Sequence, residues 1–295
     1  MAGALKESFE RASVSNAGAM AASFNAGIAL RRGEFFAGLF ILAFANGIYE
    51  RIASNIADEP VWSAISSTFG ISILIWAACW IAVSLLIRLS VEPLTRNDLI
   101  IGLAVTVAVL VPSAKASWIA LTGLGFYVLY CFKPGSLGHR AGLVILAVTV
   151  PVFWSRLVFA MLSDLILQAD AILVSAIVGT DRVGNTVKFA GVDDYLYIAP
   201  GCSSLANVSL AMLGWVLFTQ ALDRRPTLKD VWWGLAACAA VVLINVTRIA
   251  LIGLHRDQYE LIHGAIGANV AGFLTLAAIV GINLIRVRGD TVTRP

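Results

Sequence analysis

Cys202 in APGCSSL, Arg248 in NVTRIALIGL and His263 in LIHGAIG carry the side chains that acyl transfer needs: a thiol to attack, a guanidinium to meet an oxyanion, an imidazole to move a proton. Each stands at or near the end of a separate apolar stretch. Cys202 follows Pro-Gly where an apolar run opens, and a helix start supplies the free N–H groups and positive dipole end that favour a thiolate. Arg248 lies inside an apolar run, where a charge costs about 2.5–3.5 kcal/mol on membrane insertion. Such a residue either serves a function inside the protein or snorkels to the headgroups. Asn245, one turn earlier, is placed to orient its guanidinium. His263 is followed by Gly264 and Gly267, which allow a neighbouring helix to come close. His255, beside Arg256 and Asp257, competes for the same role but reads as a loop residue.

The remaining cysteines, Cys79, Cys131 and Cys238, sit in apolar runs and read as small hydrophobic residues. There is no CxxC and no His beside a Cys, so neither a metal site nor a cofactor is expected. Arg156 and the Asp193-Asp194 pair are supporting candidates that bind substrate or fix a loop by an ion pair, and Ser203 stands next to the thiol.

These residues need elements to hold them, and the composition says what kind. The 295 residues are 59% hydrophobic and 13% charged, against about 25% charged in soluble domains. Mean hydropathy is +0.85. The chain reads as a polytopic all-α membrane protein, with no basic run interleaved with aromatics to suggest a nucleic-acid partner. Eight apolar stretches are candidate spans: roughly 35–54, 64–88, 98–114, 116–132, 141–162, 203–222, 231–254 and 265–285. Residues 1–33 read as a weakly ordered cytoplasmic segment, 34–288 as the membrane domain and 289–295 as a cytoplasmic tail.

Lys and Arg divide fourteen to seven between alternate connections, which puts both termini on the cytoplasmic side. His139 then lies on the cytoplasmic side, whereas Cys202, Arg248 and His263 all meet the outer leaflet. The long connection 163–201 opens with an amphipathic pattern, Leu165, Ile166, Ala169, Ile172, Leu173 and Ala176 on one stripe, expected to lie in the interface or dip into the bundle. Its second half, with Gly and Asp turn signals around Thr186–Phe189 and Tyr195–Tyr197, predicts a short outer-face β-hairpin that roofs the site before Cys202.

At these residues the chain resembles the exosortase/archaeosortase family, over roughly residues 140–286. The resemblance rests on Cys202-Ser203 opening one span, Asn245-Val246-Thr247-Arg248-Ile249 in the next, and His263 with Gly267 before the last. Ser204 departs from the glycine usual after Cys-Ser, which leaves the substrate open. The resemblance implies a membrane cysteine protease-transpeptidase of the inner membrane, with Cys202, Arg248 and His263 catalytic. It further implies secreted substrates that end in a short motif such as Pro-Glu-Pro, a transmembrane helix and a basic cluster. The rival expectation is a transporter or an assembly factor for exported polysaccharide, with Arg248 as a substrate-binding charge and Cys202 incidental. Inverted repeats and broken helices near the midplane, common in transporters, are absent from the sequence pattern.

Overall fold

A computed structural model describes residues 31–89, 92–222 and 227–292, with side chains to residue 288. The described residues are mostly helical. In order, it forms α1 (Arg32–Asp58), the short α2 (Val61–Ser66), α3 (Ile73–Ile87), α4 (Arg96–Leu110), α5 (Ala114–Cys131) and α6 (Leu137–Thr149). A π-helical turn, Val150–Trp154, leads into α7 (Ser155–Val178); α8 (Leu205–Ala221), α9 (Leu228–Leu254), the single turn α10 (Tyr259–His263) and α11 (Ala265–Val292) complete the helices.

Among the described residues, five helical segments are long and apolar enough to cross a membrane: α1, the continuous run Leu137–Val178, Pro200–Ala221, α9 and Ala265–Arg288. The protein is therefore a multi-pass membrane protein by length and composition. Helices α3 and α4 have 15 residues each, about 22 Å of rise against a hydrocarbon core of about 30 Å. Residues 64–72, expected in a span, instead form α2 and a turn whose Thr68 and Phe69 take positive φ, so α3 begins only at Ile73.

Polar contacts at the two ends show how the helices alternate. At one end the starts of α1 and α4 meet the last turns of α5: Arg32 Nη2 donates to Asp98 Oδ1 at 3.0 Å, and Tyr127 Oη donates to the same oxygen at 2.7 Å. The start of α9 meets late α11 and the end of α8 through Arg286, which reaches Asp230 Oδ1 at 2.5 Å and Thr219 Oγ1 at 3.0 Å. Arg140, at the start of α6, donates to the Gln220 carbonyl. Arg32, Arg140 and Arg286, counted above as loop charges, are thus held within the bundle (Arg140 and Arg286 are 8% and 2% exposed). Arg32 belongs to α1 rather than to a weakly ordered lead-in, and α11 runs into the segment read as a tail; residues 1–30 lie outside the described part. Toward the other end, Asn46 Nδ2 at the middle of α1 reaches Val109 O and Ser117 Oγ, the end of α4 and the start of α5.

Two apolar cores result. The larger binds α1, α3, α5, α6 and α8 through Phe36, Phe40, Leu86, Leu121, Leu124, Ile145 and Leu213. The smaller gathers Leu167, Ala171, Val174 and Val178 of α7, Val246, Ile249, Ala250 and Ile252 of α9, and Val187, Phe189, Leu196 and Ile198. Those last four belong to a three-stranded antiparallel sheet and its flanks, with β1 (Arg182–Val183), β2 (Thr186–Lys188) and β3 (Tyr195–Tyr197) in the order β1-β2-β3. The segment expected as a hairpin therefore carries a third strand, and Val187 faces Leu196 across the second pair.

Helix α7 continues the run of α6 through two breaks. Pro151 has no N–H to give the preceding turn, and the ladder resumes through Ser155 N to the Val150 carbonyl, a π-type bond. A second break follows at Leu162 (φ −126°, ψ 23°). Beyond it the face turned into the protein is Leu167, Asp170, Ala171, Val174 and Val178. The apolar stripe of Leu165, Ile172 and Leu173 points away from the protein, with Leu165 67% exposed and Ile172 48%.

Candidate active site

The Cys202 turn is built before it reaches a helix. Pro200–Cys202 is a 3-10 turn in which Cys202 N donates to Ala199 O at 2.9 Å and Ser203 N to Pro200 O at 3.3 Å. Cys202 is therefore not the first residue of its helix; Ser204 is the N-cap and α8 opens at Leu205. The reason is local: Ser203 Oγ accepts from Leu205 N at 3.2 Å, and the Asp170 carboxyl takes Ser204 N at 2.9 Å. Asp170, 4% exposed, thus fills the anion-favouring place at the start of α8 that a cysteine thiolate was expected to use.

Asn245 fastens this turn from the other side. Its Nδ2 donates to Cys202 O at 2.7 Å and to Ser204 Oγ at 3.0 Å. Asp170, Ser203, Ser204 and Asn245 are each no more than 7% exposed, so the half-buried Cys202 rests on a closed polar network. Asn245 was expected to orient Arg248; it holds the cysteine turn instead.

Arg248 grips the opposite wall. Its Nε donates to Ile262 O at 3.1 Å and its Nη2 to His263 O at 2.9 Å, so one guanidinium spans the last two carbonyls of α10. The His263 ring stacks on Tyr259, with centroids 4.9 Å apart and planes 14° from parallel. Cys202 and His263 line one cavity of about 410 Å³, closed by Tyr195–Ile198 of the sheet, Ile249 and Ile252 of α9, and Tyr259. Arg248 lines a neighbouring, largely apolar groove between α9 and α11 of about 500 Å³. The structure therefore places Cys202 and His263 in the lining of one chamber, and ties Arg248, in the neighbouring groove, to the backbone of the His263 turn. His255 is exposed at the C-cap of α9 and does not line the chamber.

The supporting candidates separate. Asp194 pairs with Arg256 at 2.5 Å and accepts from Tyr195 N at 2.8 Å, while Arg256 also sits 5.6 Å over the Phe189 ring. Asp193 pairs with Lys188 at 2.8 Å, and that ammonium holds its carboxyl below the usual carboxylate range. Both acids fix the roof of the chamber. Ala190 N adds a bond to Gly253 O at 3.0 Å, which docks the sheet on α9. Arg156 lines a different cavity, with Arg51 and Lys115.

Asp170 is the site residue that the sequence reading passed over; its signal was a carboxyl inside an apolar helical run. Among the described residues no group of three or more His, Cys, Asp or Glu side chains could hold a metal ion. No family model, curated protein or solved structure matches the chain.

Proposed function

We propose that the protein is a membrane-embedded cysteine protease-transpeptidase of the exosortase/archaeosortase kind. The observation that carries this reading is the shared chamber of Cys202 and His263, with each residue's turn clamped from α9, by Asn245 and Arg248 respectively. In the full reading eight spans cross the inner membrane, both termini are cytoplasmic, and the chamber opens to the periplasmic or outer face. The substrates are exported proteins whose C-terminal motif lies at that face, ahead of an apolar helix and a basic tail.

The Cys202 thiolate attacks the scissile carbonyl and the C–N bond breaks as His263 gives its proton to the leaving amine. The acyl group is left as a thioester, which water or an amine or hydroxyl of an envelope acceptor then attacks, releasing the thiol. Backbone N–H groups of the turn cannot serve the oxyanion, because those of Cys202, Ser203, Ser204 and Leu205 are already bonded. The oxyanion partner in this reading is Arg248, whose guanidinium lines the neighbouring groove and has to turn from the Ile262 and His263 carbonyls toward the chamber to serve it.

Processing of a tailed substrate, followed by its shift on a gel, tests the proposal. Cys202→Ala abolishes it while the protein still inserts and folds, and Cys202→Ser is almost as inactive because a hydroxyl has a far higher pKa. Full processing by Cys202→Ala ends the reading and leaves a transporter or polysaccharide-assembly factor in its place.

A further inference from the structure

A second cavity, of about 420 Å³, lies between the last turns of α1, the start of α5 and the π-helical turn with the start of α7. Three cations from three separate helices line it: Arg51, Lys115 and Arg156. Glu50 is the only acid in its wall, and among the described residues none of the three cations makes an ion pair. The rest of the wall is apolar, with Trp118 5% exposed at its base. Gly47 makes that base possible, since a Cβ there would stand 2.7 Å from the indole. The chain thus supplies a cationic rim above an apolar wall at a helix-bundle end.

We propose that this cavity binds a phosphomonoester group, carried by an amphiphile whose apolar chain runs down the wall beside α5 and α7. Three like charges converging without acidic partners repel one another, and an anion bound among them reverses that cost. Two of the three are guanidinium groups, whose planar forks match phosphate oxygens two at a time, and the third is a compact ammonium. The N-terminus of α5, with Ala114 and Lys115 in the cavity wall, adds its dipole to the same field. Net lining charge is three cations less one acid, or +2, which balances a phosphomonoester of about −1.5 to −2. An amphiphile rather than a free ion is expected because most of the wall offers a phosphate nothing but methyl groups and rings. The inference is independent of the chemistry at Cys202, which lies in another chamber.

The test uses the full-length protein in neutral detergent, with native mass spectrometry counting bound dioleoyl phosphatidic acid. Wild-type protein retains one such lipid in preference to dioleoyl phosphatidylcholine, and the double variant Arg51→Gln, Arg156→Gln weakens retention at least tenfold. A charge-matched control, Arg88→Gln with Arg96→Gln, removes two exposed cations elsewhere and leaves retention unchanged. Arg156→Gln alone, expected to lose several-fold, serves if the double variant does not stay monodisperse. Competition assigns the source of the phosphate. Dioctanoyl phosphatidic acid displaces the lipid at far lower concentration than inorganic phosphate if an amphiphile is the ligand; equal potency upholds the phosphate site with the free ion as its source. Equal retention of phosphatidylcholine, or equal loss in the control variant, overturns the proposal.

Discussion

Replacing Asn245 by alanine is the sharpest test of how the thiol is held. Its two Nδ2–H bonds, 2.7 Å to Cys202 O and 3.0 Å to Ser204 Oγ, are the only side-chain bonds from α9 to the cysteine turn among the described residues. Ser204 is 5% exposed, so its hydroxyl finds no water when the amide goes; Cys202 is half-buried, so its carbonyl is partly rescued. A buried group left unpaired costs about 1–3 kcal/mol, which puts the pair at roughly 2–4 kcal/mol with the carbonyl at the low end. If that cost falls on the ordered turn, the rate drops by about 30- to 700-fold, at about 1.4 kcal/mol per tenfold. Asn245→Asp separates polarity from packing: it keeps the shape but sets oxygen against the Cys202 carbonyl, so it is worse than alanine. Two assays read the effect, substrate processing and the alkylation rate of Cys202 in a background lacking Cys79, Cys131 and Cys238. Processing within twofold of wild type and an unchanged melting midpoint in Asn245→Ala would refute the clamp. Aspartate behaving better than alanine would refute the polarity assignment.

Arg248→Lys keeps the charge but cannot reach the Ile262 and His263 carbonyls together, and charge-assisted bonds of about 1.5–3 kcal/mol each predict at least a tenfold loss of processing. His263→Ala abolishes processing whereas His255→Ala stays within about threefold; the reverse order moves the proton shuttle to His255. Asp170→Asn preserves shape but takes the negative charge from Ser204 N and the start of α8, so the melting midpoint falls by a few degrees and Cys202 alkylation changes with it; no change in either means that the carboxyl is a bystander. A cysteine introduced at Asn185 reacts with an impermeant maleimide in intact cells and one at Thr227 does not, and the opposite pattern inverts the proposed orientation.

What was legible in the sequence followed from residue type and helix period. Cys202 and His263 stood out as polar side chains at the ends of apolar runs, and the chamber they share lies where those runs end. Asn245 and Arg248, three apart, had to share a helix face. Which neighbours that face meets is a tertiary matter, and here the pair splits. Asn245 turns to the Cys202 turn, and Arg248 to the two carbonyls ahead of α11. Charge counting was similarly blind to partners, because Arg32 and Arg286 look like loop cations until Asp98 and Asp230 are found beside them.

The choice of the inward face in α7 has a general cause. In water an apolar stripe marks the buried side of a helix, and by that rule Leu165, Ile172 and Leu173 would turn inward. In hydrocarbon the apolar stripe already has a suitable solvent, and the polar residue is the one that needs the protein. With the rule inverted, Asp170 marks the inward face, and Leu167, Ala171, Val174 and Val178 fall beside it at helical spacing, as observed. The carboxyl then has to find a donor, and the start of α8 offers one in Ser204 N. The same inversion accounts for Asn245 being 6% exposed in the most hydropathic of the single-helix spans. Buried polar residues in apolar helices are therefore the guide to what surrounds Cys202, and they converge on its turn from both α7 and α9.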